Sequence, residues 1–420
     1  MNIISKPRRL AVTTAVLWLG MVCPGLAMAE GIVEAIKAGK ASGQLRYRLE
    51  QVDDVTKAET ATASTLRTQL GYLTGDYKAL SAFVQFEDVR VVGDERYNSG
   101  VNGLTQYPTV SDPRGTEANQ GYLSYKGLTN TVIKYGRQTI ALDNQRFVGS
   151  VDWRQNQQTF DALSLSNTSL PDGTVFYAHV DSVNRVFGAA SSQGKVNMSS
   201  DLLNLSYKGF KPGTISAYGY LLDYNAGQAF AVTASNQTVG LRLDGGYQPG
   251  GQGTKWLYTA EYASQGSYAD GASTVDGSYN YLMLGADVSG LQIKLHYELL
   301  SGDGTYGFAT PLATLHAFNG WADKFLTTPQ DGIQDMFMTF GMPVAGVNLM
   351  AAYHQYSADH LGYDYGTELN LSAAKKFGNT VTLLAKYAAY SGDANSNNVA
   401  RNLAKSQDLD KLWLQADLQF

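Results

Sequence analysis

The stretch Leu412-Trp413-Leu414-Gln415-Ala416-Asp417-Leu418-Gln419-Phe420 alternates without a break: Leu412, Leu414, Ala416, Leu418 and Phe420 share one face of an extended chain. Successive side chains of a strand point to opposite faces, so a period of two predicts a β-strand with one continuous apolar face. The same period recurs upstream. In GQLRYRLEQV, Leu45, Tyr47 and Leu49 share one face, and Gln44, Arg46, Arg48 and Glu50 share the other. Further runs begin at Thr65, Gln237, Lys255, Leu291 and Thr380, each setting an aliphatic or aromatic face against one of charge, amide, hydroxyl and glycine.

Eighteen strand candidates can be placed, beginning near residues 43, 65, 79, 118, 131, 157, 173, 201, 214, 236, 255, 279, 291, 333, 346, 363, 379 and 410. Their connectors alternate in length. Turns such as Leu73-Thr74-Gly75-Asp76 and Ser289-Gly290 take turns with the stretches 91–117, 139–156, 182–199, 302–332 and 391–408. A sandwich has no reason to lengthen every second connection, whereas an up-and-down barrel with short turns at one rim and long loops at the other does. The expected fold is therefore all-β: a transmembrane antiparallel up-and-down β-barrel of about 18 strands, with 16 the other count to weigh, and with its long outer loops folded inward. A short helix is expected over 30–40 (EGIVEAIKAGK), where Ile32, Val33 and Ile36 share a face and Gly39 is the stop.

Residues 1–29 show the order of a secretory leader: Lys6, Arg8 and Arg9, an apolar stretch from Leu10 to Val22, then Ala27-Met28-Ala29. Cleavage after Ala29 leaves a short periplasmic helical segment over 30–40 and the barrel over 41–420. A lipidated Cys23 would want a small residue before it, and Val22 stands there. The leader holds the only cysteine, so the remainder has no thiol for a disulfide, a zinc site or a covalent intermediate. It also takes three of the 32 Lys and Arg residues and none of the 37 Asp and Glu, leaving 29 against 37 and a net charge of −8. That balance argues against a nucleic-acid partner. No run of 18 apolar residues follows the leader, which excludes a membrane-spanning helix. The 44 Gly and 27 Tyr instead suit closed strands crossing between aromatic girdles. A strand ending on Phe420 resembles the insertion signal read by the outer-membrane assembly machinery, which places the chain in the outer membrane with its lipid and that machinery as partners.

With the apolar faces against lipid, parity assigns the polar faces to a lumen. The inward set holds Arg46, Arg48, Arg67, Arg242, Lys294 and Lys386, with Glu50, Gln85, Glu87, Glu261, His296, Glu298 and Glu368. Two readings compete. Either these charges pair across the lumen and keep it polar, or Arg46, Arg48 and Arg67, clustered on the first two strands, form a cationic ladder for an anionic solute.

Two outer loops are too apolar to wave in water: GRQTIALDNQRFVGSVDWRQNQQTFDAL over 136–163, and PLATLHAFNGWADKFL over 311–326. In the second, Leu315, Phe318, Trp321 and Phe325 recur at three- and four-residue spacing and predict a short amphipathic helix. Folded back into the barrel, it would bring His316, Phe318, Trp321 and Lys324 to a constriction; the alternative is a loop packed sideways on its neighbours. The pieces GRQ, DNQRFVG, WRQNQQTFDAL and TPLATLHAFNGWADKF resemble the alginate-export family of outer-membrane porins. The resemblance covers essentially the whole chain after the leader. It implies an 18-stranded porin whose constriction is lined by arginines that pass an anionic polysaccharide, and Arg137, Arg146 and Arg154 stand at the basic positions of the matching stretch.

For catalysis, the five histidines (His179, His296, His316, His354 and His360) are the candidate general bases. His179-Val180-Asp181-Ser182 brings three triad residue types within four positions, but adjacent strand residues point to opposite faces, so the spacing opposes a triad. SGDGTYG from Ser301 could hold Ca²⁺ through Asp303, yet it lacks the further carboxylates calcium needs, and a glycine-rich turn is the simpler reading. The expected function is a passive outer-membrane channel, not an enzyme, with no cofactor and no metal. Its solutes are hydrophilic and anionic, such as acidic sugars or oligo- and polysaccharides. An outer-membrane lipid hydrolase, or a closed structural or adhesion barrel, is the alternative.

Overall fold

The structure, a computed structural model, describes residues 25–225, 232–251 and 253–420; most of the expected leader lies outside the described residues. A helix, α1 (Gly25–Lys37), precedes eighteen strands. They are β1 (Lys40–Asp54), β2 (Ala61–Leu73), β3 (Leu80–Val91), β4 (Gly115–Leu128), β5 (Thr131–Gln138), β6 (Thr159–Asn167), β7 (Gly173–Asn184), β8 (Lys195–Tyr207) and β9 (Gly213–Leu222). There follow β10 (Asn236–Tyr247), β11 (Lys255–Ser267), β12 (Asp276–Val288), β13 (Leu291–Leu300), β14 (Ile333–Val344), β15 (Val347–Ser357), β16 (Asp364–Phe377), β17 (Val381–Gly392) and β18 (Leu409–Gln419). A second helix, α2 (Ser396–Asn402), lies between the last two.

Every strand pairs antiparallel with the next in sequence, and β18 returns to pair with β1. Closure removes the sheet edge, which is what hydrocarbon demands, because an unpaired backbone N–H or C=O there costs several kcal/mol. The closing seam follows the sequence pattern. Leu45, Tyr47 and Leu49 stand opposite Leu418, Ala416 and Leu414, while Arg46, Arg48 and Glu50 stand opposite Asp417, Gln415 and Trp413. At its foot the Phe420 ring crosses Gly43, whose backbone exchanges hydrogen bonds with that of Phe420 at 2.8 and 3.0 Å. A Cβ on Gly43 would collide with the ring, so any larger residue there displaces the Phe420 side chain.

Burial is inverted relative to a soluble protein. Leu284 and Leu295 are 70% and 59% exposed on the outside, and Arg48 and Arg67 are 0% exposed on the inside. The alternation read from sequence sets the two faces throughout, as expected of a wall between lipid and a polar interior.

Connector lengths follow the expected rhythm with exceptions. Tight turns at 129–130, 289–290 and 345–346 mark one rim, and 92–114, 139–158, 301–332 and 393–408 are the long loops of the other. The outer connectors 55–60 and 358–363, however, are as short as turns. The strands bearing Arg46, Arg48 and Arg67 are thus joined by a short hairpin rather than a long loop, because residues through Val52 and from Ala61 still pair in the ladder. Likewise β8 begins at Lys195, ahead of the expected 201, since it follows β7 past a bulge between Val180 and Ser182.

Candidate functional site

The loops 139–158 and 301–332 enter the barrel and meet there. Val148 and Leu312 form a parallel bridge. Gly149 N donates to Leu312 O at 2.9 Å, Thr314 N to Gln145 O at 3.0 Å, and Gln158 Nε2 to Leu312 O at 2.9 Å. The expected amphipathic helix over 311–326 does not form. Only Leu315–Ala317 makes a single 3-10 turn, because Asn319, Gly320 and Asp323 take left-handed φ of 51°, 84° and 61° that no α-helix accommodates. A Cβ on Gly320 would strike the Tyr356 hydroxyl and the Glu368 carboxylate, so the loop passes here with glycine clearance only.

The first loop is fastened to β1, β2 and β18. Arg46 and Arg67 are register partners across the β1–β2 ladder. Like charges directly opposite are destabilising, and Asp152 from the loop relieves them: Arg67 Nη1 donates to its Oδ1 at 3.0 Å, and Arg46 Nη1 to its backbone O at 2.6 Å. Arg46 Nε also donates to Asp417 Oδ1 at 2.7 Å. Arg48 donates to Gln415 Oε1 at 2.9 Å and places its guanidinium 4.1 Å from the Trp153 ring centroid. Arg154 Nη1 bonds Glu50 Oε2 at 3.0 Å, and its Nη2 bonds Asp323 of the second loop at 3.2 Å.

The opposite wall repeats the arrangement. Arg146 Nε donates to Glu298 Oε1 at 2.7 Å and its Nη2 to Asn319 Oδ1 at 3.0 Å, with its guanidinium 4.7 Å from the Phe318 ring. Arg242 Nη1 bonds Glu261 Oε2 at 2.6 Å. Lys294 and His296 line β13 closer to the rim of tight turns, and His296 stacks on Phe337 at 4.1 Å. Gln85 accepts from Asn119 at 2.7 Å, and Glu87 accepts from Gln69.

Lys386 of β17 stands where both loops converge. Its ammonium lies 3.7 Å from the Trp321 ring centroid and 4.0 Å from that of Trp153, and it donates to His316 Nε2 at 2.9 Å. His316 Nδ1 bonds Asp323 Oδ1 at 2.7 Å, and its ring stacks on Trp153 at 4.3 Å. The network assigns the ring proton to Nδ1, toward the carboxylate. Lys411 bonds Asp323 at 2.6 Å, and Ala322 N donates to Glu368 at 2.8 Å.

On the long-loop side of this constriction opens a vestibule of about 330 Å³, bordered by Lys57, Arg154, Lys324, Lys405 and Lys411 against Asp54 and Asp323. Three of these cations bond backbone carbonyls: Lys57 that of Thr105 at 3.3 Å, Lys324 that of Ala404 at 3.1 Å, and Lys405 that of Lys324. Burial, reinforced by Lys324, pushes the Lys405 ammonium down to about 8.

Of the residues read from sequence, Arg46, Arg48, Arg67, Arg146, Arg154, Arg242, Lys294, Lys386, Glu50, Glu261 and Glu298 lie inside the barrel, with the loop residues His316, Phe318, Trp321 and Lys324. Arg137 does not join them. It sits at the outer end of β5, two residues past Tyr135, whose ring is 64% exposed to the lipid side, while Gln138 turns inward. Facing outward, it pairs with Asp161 at 2.7 Å, and Asp161 also holds Lys195 at 3.0 Å. The His179, Asp181 and Ser182 types do not form a triad: His179 lies 3.9 Å from Asp181 and bonds Asp201 at 3.0 Å, whereas Ser182 bonds Asp161 at 2.8 Å. Asp303 is used in a turn, accepting from Thr305 N and Tyr306 N at 2.7 Å. Among the described residues no cluster of three or more His, Cys, Asp or Glu side chains is suited to a metal ion. Sequence reasoning missed Lys411, Trp413 and Asp417, which the alternation of the last strand would have supplied, and Asp112, Asp152, Asp323, Lys57 and Lys405, which lie in loops without any period.

A family model described as alginate export matches residues 40–299. No curated protein sequence matches. Among solved structures, OpdK of Pseudomonas aeruginosa with vanillate superposes with a TM-score of 0.69 at 12% identity, covering 92% of this chain and 99% of that one. OccK9 (OpdG) of the same organism gives 0.67 at 14% identity over 92% and 100%, and OccAB4 of Acinetobacter baumannii gives 0.67 at 12% over 91% and 98%. These likenesses are of fold.

Proposed function

The chain belongs to the alginate export family, and we propose that its outer-membrane channel passes small carboxylate-bearing solutes, of the size of a single acidic sugar, through the vestibule above Arg154. The channel is not an enzyme. The observation that carries the proposal is the set of three vestibule ammonium groups, Lys57, Lys324 and Lys405, bonded to backbone carbonyls and so left with their charge to offer. Lower in the lumen, the charges of Arg46, Arg67, Arg146, Arg154 and Arg242 are balanced by Asp and Glu partners. The anion is therefore selected at the mouth, and the paired wall beneath passes it without holding it.

A volume of about 330 Å³ sits at the lower end of the roughly 300–1,000 Å³ range of small-molecule sites. A long polymer has to displace the interlocked loops, whereas a monomeric uronate fits above them. The experiment is reversal potential across planar bilayers under a salt gradient, with block by a monomeric uronate, its oligomers and a neutral sugar. Replacing Lys324 and Lys405 by Gln is expected to lower anion preference and to weaken uronate block several-fold. Equal block by the neutral sugar, or a reversal potential unmoved by the double substitution, would overturn the proposal.

A further inference from the structure

We propose that residues 31–37 of α1 lie in the interface of the inner leaflet, with Ile32, Val33 and Ile36 set among the acyl chains; the orientation rests on the outer-membrane reading above. α1 is a two-sided element once its contacts with the barrel are subtracted. Gly31 faces the Tyr77 ring closely enough that a Cβ would clash with it, and Ala35 is buried, its carbonyl accepting from Gly75 N at 2.8 Å. Those two positions fasten the helix to the turn between β2 and β3. Glu34 and Lys37 pair at 3.1 Å on a second side, in water. Ile32, Val33 and Ile36, at spacings of one and four, form the third side and are 45%, 46% and 50% exposed.

What covers that side follows from where the helix is tied. Tyr72 lies on the outward face of β2, alternating with inward Gln69 and Gly71, and its hydroxyl donates to the Ile36 carbonyl. A Cβ on Gly39, just past the helix, would strike the same hydroxyl. The helix end is therefore held on the lipid side of the rim rather than across the lumen mouth. The wall it is tied to is itself apolar on that face: Leu70 and Leu80 of β2 and β3 are 55% and 41% exposed on the outside. An exposed apolar side on a helix tied to the outward face of a lipid-facing wall, opposite an ion-paired polar side, is the pattern of a helix lying in the plane of a membrane surface.

Single cysteines test this in the reconstituted protein, since the described residues contain none. Ile36→Cys and Glu34→Cys, each carrying an environment-sensitive nitrobenzoxadiazole label, are compared in phosphatidylcholine vesicles with spin-labelled lipids. The label at 36 is expected to emit at shorter wavelength and to be quenched by a shallow acyl-chain spin label about threefold more than the label at 34. Equal, water-like emission at both sites would overturn the proposal. So would a blue-shifted label at 36 that lipid spin labels leave unquenched, which would assign the stripe to protein contact. Conductance identical to the unsubstituted protein verifies that each labelled barrel has folded, and keeps this outcome separate from the fate of the vestibule proposal.

Discussion

Arg46 and Arg67 face each other across the β1–β2 ladder, and the carboxylate that reconciles them belongs to neither strand: it is Asp152, delivered by the loop 139–158. The cationic pair is thus complete only when the loop is docked. Asp152→Asn should loosen the loop tip and leave the pair under-compensated. Because the Asp152 side chain is half exposed, the cost is small, about 1 kcal/mol, but the reversal potential should move toward anion preference. Replacing Arg46, Arg48 and Arg67 together by Gln should move it the other way. Shifts of the same sign in the two variants would show that these residues do not set the local field.

The second loop should behave as the removable part of the constriction. Trp321→Ala strips one ring from the Lys386 ammonium and leaves a gap beneath the loop, a loss of about 2–4 kcal/mol for a large aromatic that is not fully buried. Single-channel recordings are expected to show higher conductance and more frequent flicker, and deletion of 311–326 should raise conductance further. A correctly inserted deletion with unchanged conductance would mean that the current runs elsewhere.

Lys405 supplies a pH dependence whose sign is fixed. Its ammonium titrates at about 8 because burial and Lys324 disfavour the charge. The vestibule therefore carries that charge below pH 8 and loses it above. Anion preference should fall as pH rises from 7 to 9, and Lys405→Gln should flatten the change. A profile with an unchanged midpoint in that variant would assign the titration to another group.

At the closing seam, Gly43→Val forces a side chain into the space of the Phe420 ring. We expect less heat-modifiable, folded barrel in the membrane and normal conductance in those molecules that insert, since neither residue lines the lumen. Deleting Phe420 should lower assembly without creating the strain, which separates a recognition role from a packing one.

The wall was readable in the sequence because alternation is local: Leu45 and Arg46 declare opposite faces whatever the rest of the chain does. The same arithmetic places Arg48, Glu50, Arg67 and Lys386 inside, and between the leucines of β18 it puts Lys411, Trp413 and Asp417 there too. It fails where the backbone is irregular. Nothing in the order of residues says that Asp152 turns toward two arginines, or that Asn319 and Asp323 adopt left-handed conformations that break an otherwise helical spacing. Only the resemblance brings Arg137 to the constriction; alternation with Tyr135 inside β5 puts its side chain on the outward face.

The bridge between Val148 and Leu312 joins two segments that are each anchored at both ends to a stiff wall. Their association is a binding equilibrium within one molecule, governed by an effective concentration of order millimolar or above when the tethers suit the span. Contacts far too weak to hold two free peptides together are then sufficient to keep the lumen filled. A solute pushing between the segments competes against that tethered affinity alone, so the opening of the passage is set as much by the geometry of the wall as by the chemistry of the loops.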